Sequence, residues 1–223
     1  MRNNVFIKLI TAGLILIFTL LFPITAAAGK QEVHSKPEKQ LEEYCLNEQG
    51  IIKAEIAEKI IKEKAEKVIR TIASRDFDKL ADYVHPEEGL RFTPYTYVRT
   101  EKDIVFTKEQ VSNFFENDKK YLWGHYDGSG KEIRLTPREY YHRFIYTNDF
   151  INAEKIGYNE VLSSGNMSEN QFEVYEDPII VEYYFPGFKA KFGGMDWKSL
   201  RLVFEEYQNK WKLTGIIHNQ WTI

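Results

Sequence analysis

Apolar residues recur at helical spacing across residues 51–74. They are Ile52, Ile56, Ile60, Ile61, Ala65, Val68, Ile69 and Ile72, and lysines and glutamates occupy most of the positions between them. This spacing places the apolar side chains on one face of a helix and the charges on the other. The pattern therefore predicts an amphipathic helix with one face that packs against the rest of the chain.

Further segments carry the signals that start or end a helix. Asp76 is a good N-cap for a short helix, which should end at His85-Pro86 because a residue before proline avoids the helical region. Thr107 with Gln110 has the pattern of a capping box, and Thr136-Pro137-Arg138-Glu139 adds a proline at the first helical position. We expect a short helix after each of these signals.

Runs of β-branched and aromatic residues, separated by turn signals, predict strands. These runs are residues 90–92, 104–106, 121–126, 179–185, 197–207 and 211–221. Helices at the start of the chain and long antiparallel strands at its end are typical of an α+β fold.

The register of the last predicted hairpin decides which polar side chains meet. A two-residue turn at Asn209-Lys210 would pair Arg201 with His218 and Ser199 with Gln220. One face then collects Leu200, Leu202, Phe204, Leu213, Gly215 and Ile217, and the other collects Arg201, Val203, Glu205, Thr214, Ile216 and His218. We expect helices to cover the first face and the second face to be mixed.

Residues 1–28 have the order of a secretory signal peptide. Arg2 and Lys8 are their only charges, residues 9–24 are uncharged and largely apolar, and three alanines follow. This order predicts cleavage after Ala28. The apolar run is shorter than the roughly 20 residues that usually span a bilayer. We expect a secreted or envelope-associated protein without stable membrane insertion after cleavage, with retention of the leader as an anchor as the alternative.

The rest of the chain divides into a tether and one domain. Residues 29–45 are mostly polar and predict a flexible tether, and residues 46–223 are enough for a single domain with its own core. Cys45 is the only cysteine, so an internal disulfide is excluded. Lys30, rather than a cysteine, follows Gly29, which argues against a lipoprotein.

Charge and aromatic content narrow the classes of partner. Removal of Arg2 and Lys8 leaves 28 basic and 33 acidic residues, a net charge of −5. This mild acidity disfavours nucleic acid as a partner. The aromatic content of 15% favours an extensive core or an aromatic-lined cavity for a small apolar or polar ligand.

Several segments together resemble a family of exported bacterial proteins. They are residues 76–95, 121–130, 139–141, 181–185, 194–197 and 216–223. The amino-acid sequences of these segments are similar to those of uncharacterised exported bacterial proteins of the nuclear transport factor two-like superfamily. The resemblance implies a cone in which a long N-terminal helix and shorter helices pack on a curved, mainly antiparallel sheet. The superfamily includes isomerases, dehydratases, transport adaptors and binding modules, so the fold does not supply the activity.

Common catalytic and metal motifs are absent from the sequence. It has no nucleophile elbow, phosphate-binding glycine loop, paired cysteines or two-histidine helical motif. Glu139 and His142 are three residues apart, as metal ligands on one helix can be, but an exposed helix face is the simpler interpretation. No metal or cofactor is expected.

Histidines and aromatics supply the candidate site residues. His218 and His85 are candidates for catalysis, although His85 is equally compatible with a structural role at a helix end. Arg201, His218 and Gln220 are candidates for binding a polar or anionic ligand, with a solvated or self-associating sheet face as the alternative. Trp123 and Tyr140 are candidates for an aromatic pocket wall, or belong to the core.

These observations favour a non-enzymatic module that binds a small ligand or another protein. The alternative is an isomerase or dehydratase that uses histidine and carboxylate side chains in a cone cavity, and a third hypothesis is docking to envelope proteins. The enzyme hypothesis requires His85 or His218 to face a pocket together with an acid such as Asp76 or Glu182. The mixed sheet face also leaves room for a homodimer formed through the sheet.

Overall fold

The computed structural model describes residues 45–222, and residues 1–44 and residue 223 lie outside the described residues. The predicted signal peptide and nearly all of the predicted tether therefore fall outside them. Within the described part, no helix is both long and apolar enough to cross a membrane. Cys45 is exposed.

Helix α1 spans Ala54–Ala73, inside the range that the apolar spacing predicts. Its buried apolar residues are Ala57, Ile61, Ala65, Val68, Ile69 and Ile72. Full burial of a large aliphatic side chain contributes about 1.5–3 kcal/mol. Lys53 at the N-cap makes no side-chain capping bond, so the buried face is the main support of this helix.

Three shorter helices start at the predicted caps: α2 at Phe77–Ala81, α3 at Lys108–Ser112 and α4 at Pro137–Tyr140. The Asp76 carboxylate accepts a hydrogen bond of 3.0 Å from the backbone N–H of Lys79. Both predicted capping boxes are present, at Thr107 and at Thr136. The prediction of these three helix starts is confirmed.

Helix α4 continues directly into a π-turn at Tyr141–Ile145, in which the backbone N–H of Tyr146 donates to the carbonyl of Tyr141 over 3.0 Å. A 3₁₀ turn follows at Phe150–Asn152, a four-residue helix α5 lies at Gln171–Val174, and a second 3₁₀ turn lies at Ala190–Phe192.

The strands are β1 (Leu90–Thr93), β2 (Ile104–Phe106), β3 (Tyr121–His125), β4 (Glu132–Leu135), β5 (Lys155–Tyr158), β6 (Ile179–Phe185), β7 (Lys198–Tyr207) and β8 (Lys210–Gln220). Within residues 45–222, six of them form one sheet in the order β2-β1-β8-β7-β6-β5, and β3 pairs with β4 separately. Strand β1 runs parallel to β8, whereas the other neighbours are antiparallel. The fold is thus α+β with a mixed sheet.

Both faces of the central strands are covered. On one face Leu200, Leu202 and Phe204 belong to a large apolar core that includes the buried residues of α1. The other face carries a smaller apolar cluster of Val98, Tyr175, Ile180, Val203 and Ile217. The second face is therefore buried in its centre and is not a solvated surface.

The predicted register of the last hairpin is wrong. Gln208 and Asn209 form the turn, and both have positive φ angles, 49° and 60°, as a type I′ turn requires. The register shifts again between Val203 and Phe204, where Thr214 is left without a partner as a β-bulge.

The shift separates the two polar residues that the prediction had paired. Arg201 lies opposite Ile217, and His218 lies opposite Leu200. His218 consequently shares the α1-covered face with Leu200, because directly paired residues project to the same side. Arg201 belongs to the opposite face.

Candidate functional site

A polar cavity of about 210 Å³ lies at the end of the sheet where β7 begins and β8 ends. Lys198 starts β7, Gln220 ends β8, and the two residues pair with each other. The other lining residues are Tyr95, Tyr126, His142, Arg143, Phe144 and Thr147. We call this site the Arg143–Lys198 cavity.

The π-turn supplies three of the side chains that line the cavity. Its start is fixed by the capping box that opens α4, one helical turn earlier. Phe144 stays in the core, whereas His142 and Arg143 are exposed and border the cavity. Such turns are frequent at functional sites, because the extra residue redirects the side chains around it.

The charge in the cavity is positive. Arg143 and Lys198 both line it, and no aspartate or glutamate is among the lining residues in the described part of the chain. Partial burial lowers the pKa of the Lys198 ammonium, and the nearby positive charge of Arg143 lowers it further. The Arg143 guanidinium carbon lies 5.6 Å from the centre of the Tyr126 ring. An anion between the two cations would relieve their repulsion.

One buried polar atom at the cavity lacks a partner. The Thr147 side-chain oxygen is buried and makes no hydrogen bond within residues 45–222. A hydroxyl can donate one hydrogen bond and accept others, and an unpaired buried one calls for a ligand or a water molecule. Thr147 therefore brings to the cavity wall a hydroxyl whose donor is not engaged by the described protein.

His218 lies directly behind the wall of the cavity. It is 1% exposed, its Nε2 atom lies 3.3 Å from Oε1 of Gln220, and its Nδ1 atom has no hydrogen-bond partner in the described structure. Burial lowers the pKa of the imidazole from 6.5 to about 4, with smaller effects from Lys198 and Arg143 in the same direction. His218 is accordingly neutral at pH 7, and it orients the Gln220 amide.

An aromatic stack runs from the core to the cavity. Trp123 and Tyr140 stack with their ring centres 3.8 Å apart, and Tyr140 stacks on Phe144 at 5.1 Å. Trp123 is fully buried and donates from Nε1 to the carbonyl of Leu135 over 2.9 Å. The structure thus places Trp123 and Tyr140 behind Phe144, which is the member of this stack that lines the cavity.

Arg201 lies on the other face of the sheet, in a buried polar network. Its guanidinium donates to both carboxylate oxygens of Glu169, over 2.7 and 3.0 Å, and to the Thr96 hydroxyl over 2.9 Å. Its Nε atom lies 3.2 Å from Oε1 of the fully buried Glu182. All of these groups lie on the sheet or on the segments that cover it.

Ser163 completes this network. Its hydroxyl accepts from Arg201 over 3.0 Å and from the Asn219 amide over 3.2 Å, and it also bonds to the Glu182 carboxylate. Glu182 accepts a further bond of 2.7 Å from the backbone N–H of Leu162. The network therefore holds the segment after β5 against the sheet. Glu182, which the enzyme hypothesis placed in a pocket with His85 or His218, instead contacts Arg201.

His85 lies far from the cavity, near the hairpin turn between β7 and β8. Its Nδ1 atom accepts hydrogen bonds from the backbone N–H groups of Glu87 and Glu88, over 3.3 and 3.0 Å. Its ring packs edge-on against Tyr207, and burial lowers the pKa of the imidazole. These contacts describe a residue that shapes a turn.

Glu139 and His142 do not form a metal site in the described structure. The Glu139 carboxylate accepts a hydrogen bond of 2.8 Å from the backbone N–H of Thr136 as part of the capping box. Across residues 45–222, no group of three or more His, Cys, Asp or Glu side chains is arranged to hold a metal ion.

Of the residues proposed from the sequence, Gln220 lines the cavity and His218 supports it. Sequence reasoning missed Arg143, Lys198 and Thr147, which come from two separate segments. The capping box at Thr136 was the one sequence signal near them, since it marks the helix that leads into the π-turn.

Comparisons with known proteins add little to this site. No family model and no curated protein matches the chain. The chain is similar to a crystal structure from Xanthomonas campestris, provisionally described as a calcium/calmodulin dependent protein kinase II association domain. That similarity has 10% identity and a TM-score of 0.28, and it covers 72% of this chain and 84% of the other. A likeness at this level carries no argument about function.

Proposed function

We propose that this protein is a non-enzymatic module that binds a small anionic molecule in the Arg143–Lys198 cavity. The observation that carries the proposal is the pairing of two cations in one cavity that has no acidic residue among its described lining. A site of this composition attracts negative charge and repels cations.

Each polar group in the cavity has a distinct part in this proposal. The Arg143 guanidinium can form two parallel hydrogen bonds to a carboxylate or a phosphate, and Lys198 adds a point charge. Thr147 and the Gln220 amide add neutral donors. The volume of about 210 Å³ lies below the roughly 300–1,000 Å³ of pockets for drug-sized ligands, so the ligand is small.

The alternative of an isomerase or dehydratase is supported by fewer observations. Such a reaction needs a base or acid in contact with the substrate. His218 lies behind Gln220 with both ring nitrogens buried or engaged, and His142 is the histidine that borders the cavity. Neither histidine has a carboxylate partner that would raise its basicity in the described structure.

We also propose that the chain is an exported member of the nuclear transport factor two-like superfamily. The order of its elements and the quoted sequence segments support this assignment, and the α+β fold with a mixed six-stranded sheet is compatible with it. Export rests on the order of charges, apolar residues and alanines in residues 1–28.

The experiment that tests the proposed function is native mass spectrometry of the protein purified from its natural culture. We expect a processed chain that begins at Gly29 and carries a small bound anion, which is released when Arg143 and Lys198 are replaced by Gln. A retained neutral apolar molecule, or an anion that remains bound to the double variant, would contradict the proposal.

A further inference from the structure

The loop between β6 and β7, residues 186–197, exposes several large apolar side chains. Phe188 is 45% exposed, Phe192 is 38% exposed and Met195 is 53% exposed. Among the exposed large apolar residues of the described chain, these three fall within eight consecutive positions. This density distinguishes the loop from single exposed apolar residues, which are normal on a soluble surface.

The loop has a defined shape. The Asp196 carboxylate accepts hydrogen bonds from the backbone N–H groups of Phe188 and Lys189, both over 3.0 Å. Trp197 is 6% exposed and anchors one end of the loop, and the Phe188 ring contacts Phe185 at 5.3 Å. The apolar side chains are therefore presented from a braced loop that makes its own backbone hydrogen bonds.

Two lysines of the loop lie close to one of these apolar side chains. The ammonium groups of Lys189 and Lys191 lie 5.9 and 4.9 Å from the centre of the Phe192 ring. Both lysines are exposed. Neither belongs to the ion pairs found within residues 45–222. Asp196 is the acid of this loop, and its carboxylate is engaged by the backbone. The tip of the loop is thus both apolar and cationic.

We propose that this loop docks the protein onto an anionic lipid surface. Phe188, Phe192 and Met195 would enter the boundary between headgroups and acyl chains, and Lys189 and Lys191 would contact anionic headgroups. Lysine is depleted in protein–protein interfaces, which typically bury about 800 Å² on each partner. A short tip with two lysines against one aromatic ring suits a lipid surface better. The proposal does not depend on the ligand of the Arg143–Lys198 cavity.

A fluorophore attached at the loop tests this proposal on the full chain. The Cys45→Ser variant removes the native thiol, and Met195→Cys then carries an environment-sensitive label while both phenylalanines stay in place. A matched variant carries the label at Val105→Cys, an exposed position on β2. The two labelled proteins, one with the label at position 195 and one at position 105, are each mixed with vesicles of phosphatidylcholine alone or of phosphatidylcholine with phosphatidylglycerol. A local label is needed because residues 1–28 could by themselves bind vesicles.

We expect emission at position 195, and not at position 105, to rise and shift to the blue with phosphatidylglycerol vesicles. Lys189→Gln/Lys191→Gln should lower the affinity for these vesicles, measured from the emission at position 195, about thirtyfold. This is the effect expected for the loss of two charges near an anionic membrane. No change at position 195, or equal changes at both positions, would overturn the proposal. A change that needs no vesicles and grows with protein concentration would instead assign the loop to contact with a second protein copy, and would also overturn it.

Discussion

The Nε2 atom of His218 lies 3.3 Å from Oε1 of Gln220, and this contact joins a buried imidazole to the wall of the Arg143–Lys198 cavity. Because the imidazole is neutral at pH 7, it can donate to the amide oxygen and leave the amide N–H groups free to face the cavity. His218 is thus a positioning residue for Gln220.

The buried state of His218 predicts a loss of stability in acid. The unfolded imidazole takes up a proton near pH 6.5, whereas the folded one does so only near pH 4. Between these values the unfolded chain binds more protons, so stability rises with pH and falls as the pH drops. From pH 7 to pH 5 this imidazole should cost about 2 kcal/mol of unfolding free energy.

Urea unfolding of wild type and His218→Gln at both pH values measures this effect. The variant should lose about 2 kcal/mol less than wild type over this interval, because its side chain does not titrate. His85 and the carboxylates titrate in both proteins and cancel in the difference. Equal pH dependence in the two proteins would show that His218 is not buried as described.

The Arg201 network predicts a large and non-additive mutational effect. Arg201→Met should lower the unfolding free energy by about 3–5 kcal/mol, because it leaves the buried Glu182 carboxylate without its cation. Arg201→Met/Glu182→Gln should recover part of this loss, since the second change removes the unpaired charge. Urea denaturation measures both.

The exposed pair of Arg134 and Glu132 provides the control for this network. Arg134→Met should change stability much less than Arg201→Met, because water solvates the remaining carboxylate. A similar loss for the two arginine variants would contradict the buried position of Arg201.

The hairpin turn predicts opposite effects for two substitutions at one position. Gln208 has a φ of 49°, so Gln208→Asn should raise the thermal midpoint and Gln208→Val should lower it. The valine variant should lose about 1 kcal/mol or more of unfolding free energy. If the turn lay at Asn209-Lys210 instead, position 208 would belong to a strand and valine would be favourable. Thermal unfolding distinguishes the two registers by the sign of the change.

Thr147 separates a binding role from a structural one. Its buried hydroxyl has no partner, so Thr147→Val should leave the unfolding free energy unchanged or slightly higher in the absence of ligand. Affinity for an anion in the cavity should fall about three- to tenfold through the loss of one donor. Calorimetric titration with inorganic phosphate, acetate and benzoate measures this affinity.

The buried hydroxyl of Thr93 supplies the contrast. It donates a hydrogen bond of 2.8 Å to the Asp103 carboxylate, so Thr93→Val should lower stability by about 1 kcal/mol or more. A comparable loss of stability for Thr147→Val would mean that Thr147 has a structural partner and is not available to a ligand.

The helix starts and most strands could be predicted because their signals are local. Capping depends on residues three positions apart, and the apolar repeat of α1 lies within one segment. The register of β7 and β8 was predicted wrongly because the turn lies at Gln208-Asn209 and Thr214 forms a bulge. Gly215, directly after Thr214, is the sequence signal that could have marked this bulge. A shift of one residue moves a side chain to the other face of a sheet, and this is why Arg201 and His218 do not meet.

The position of the Arg143–Lys198 cavity could not be predicted from the sequence, because its charged residues come from distant segments. Arg143 and Lys198 are separated by more than fifty positions, and each alone resembles an ordinary surface cation. The π-turn and the start of β7 bring them to one place. Gln220 was proposed from a register that paired it with Ser199, whereas the structure pairs it with Lys198. It still contacts His218, because the two residues lie two positions apart on β8.

Calorimetric titration of wild type and Arg143→Gln/Lys198→Gln tests most directly whether Arg143 and Lys198 together hold a small anion. The titrants are inorganic phosphate, acetate and benzoate, and Lys102→Gln is the control for loss of an exposed charge outside the cavity. We predict that at least one anion binds wild type and Lys102→Gln with equal affinity. The same anion should bind the double variant at least about tenfold more weakly, which corresponds to a loss of about 1.4 kcal/mol in binding free energy. Failure of all three anions to bind wild type, or equal affinity for the double variant, would contradict the claim.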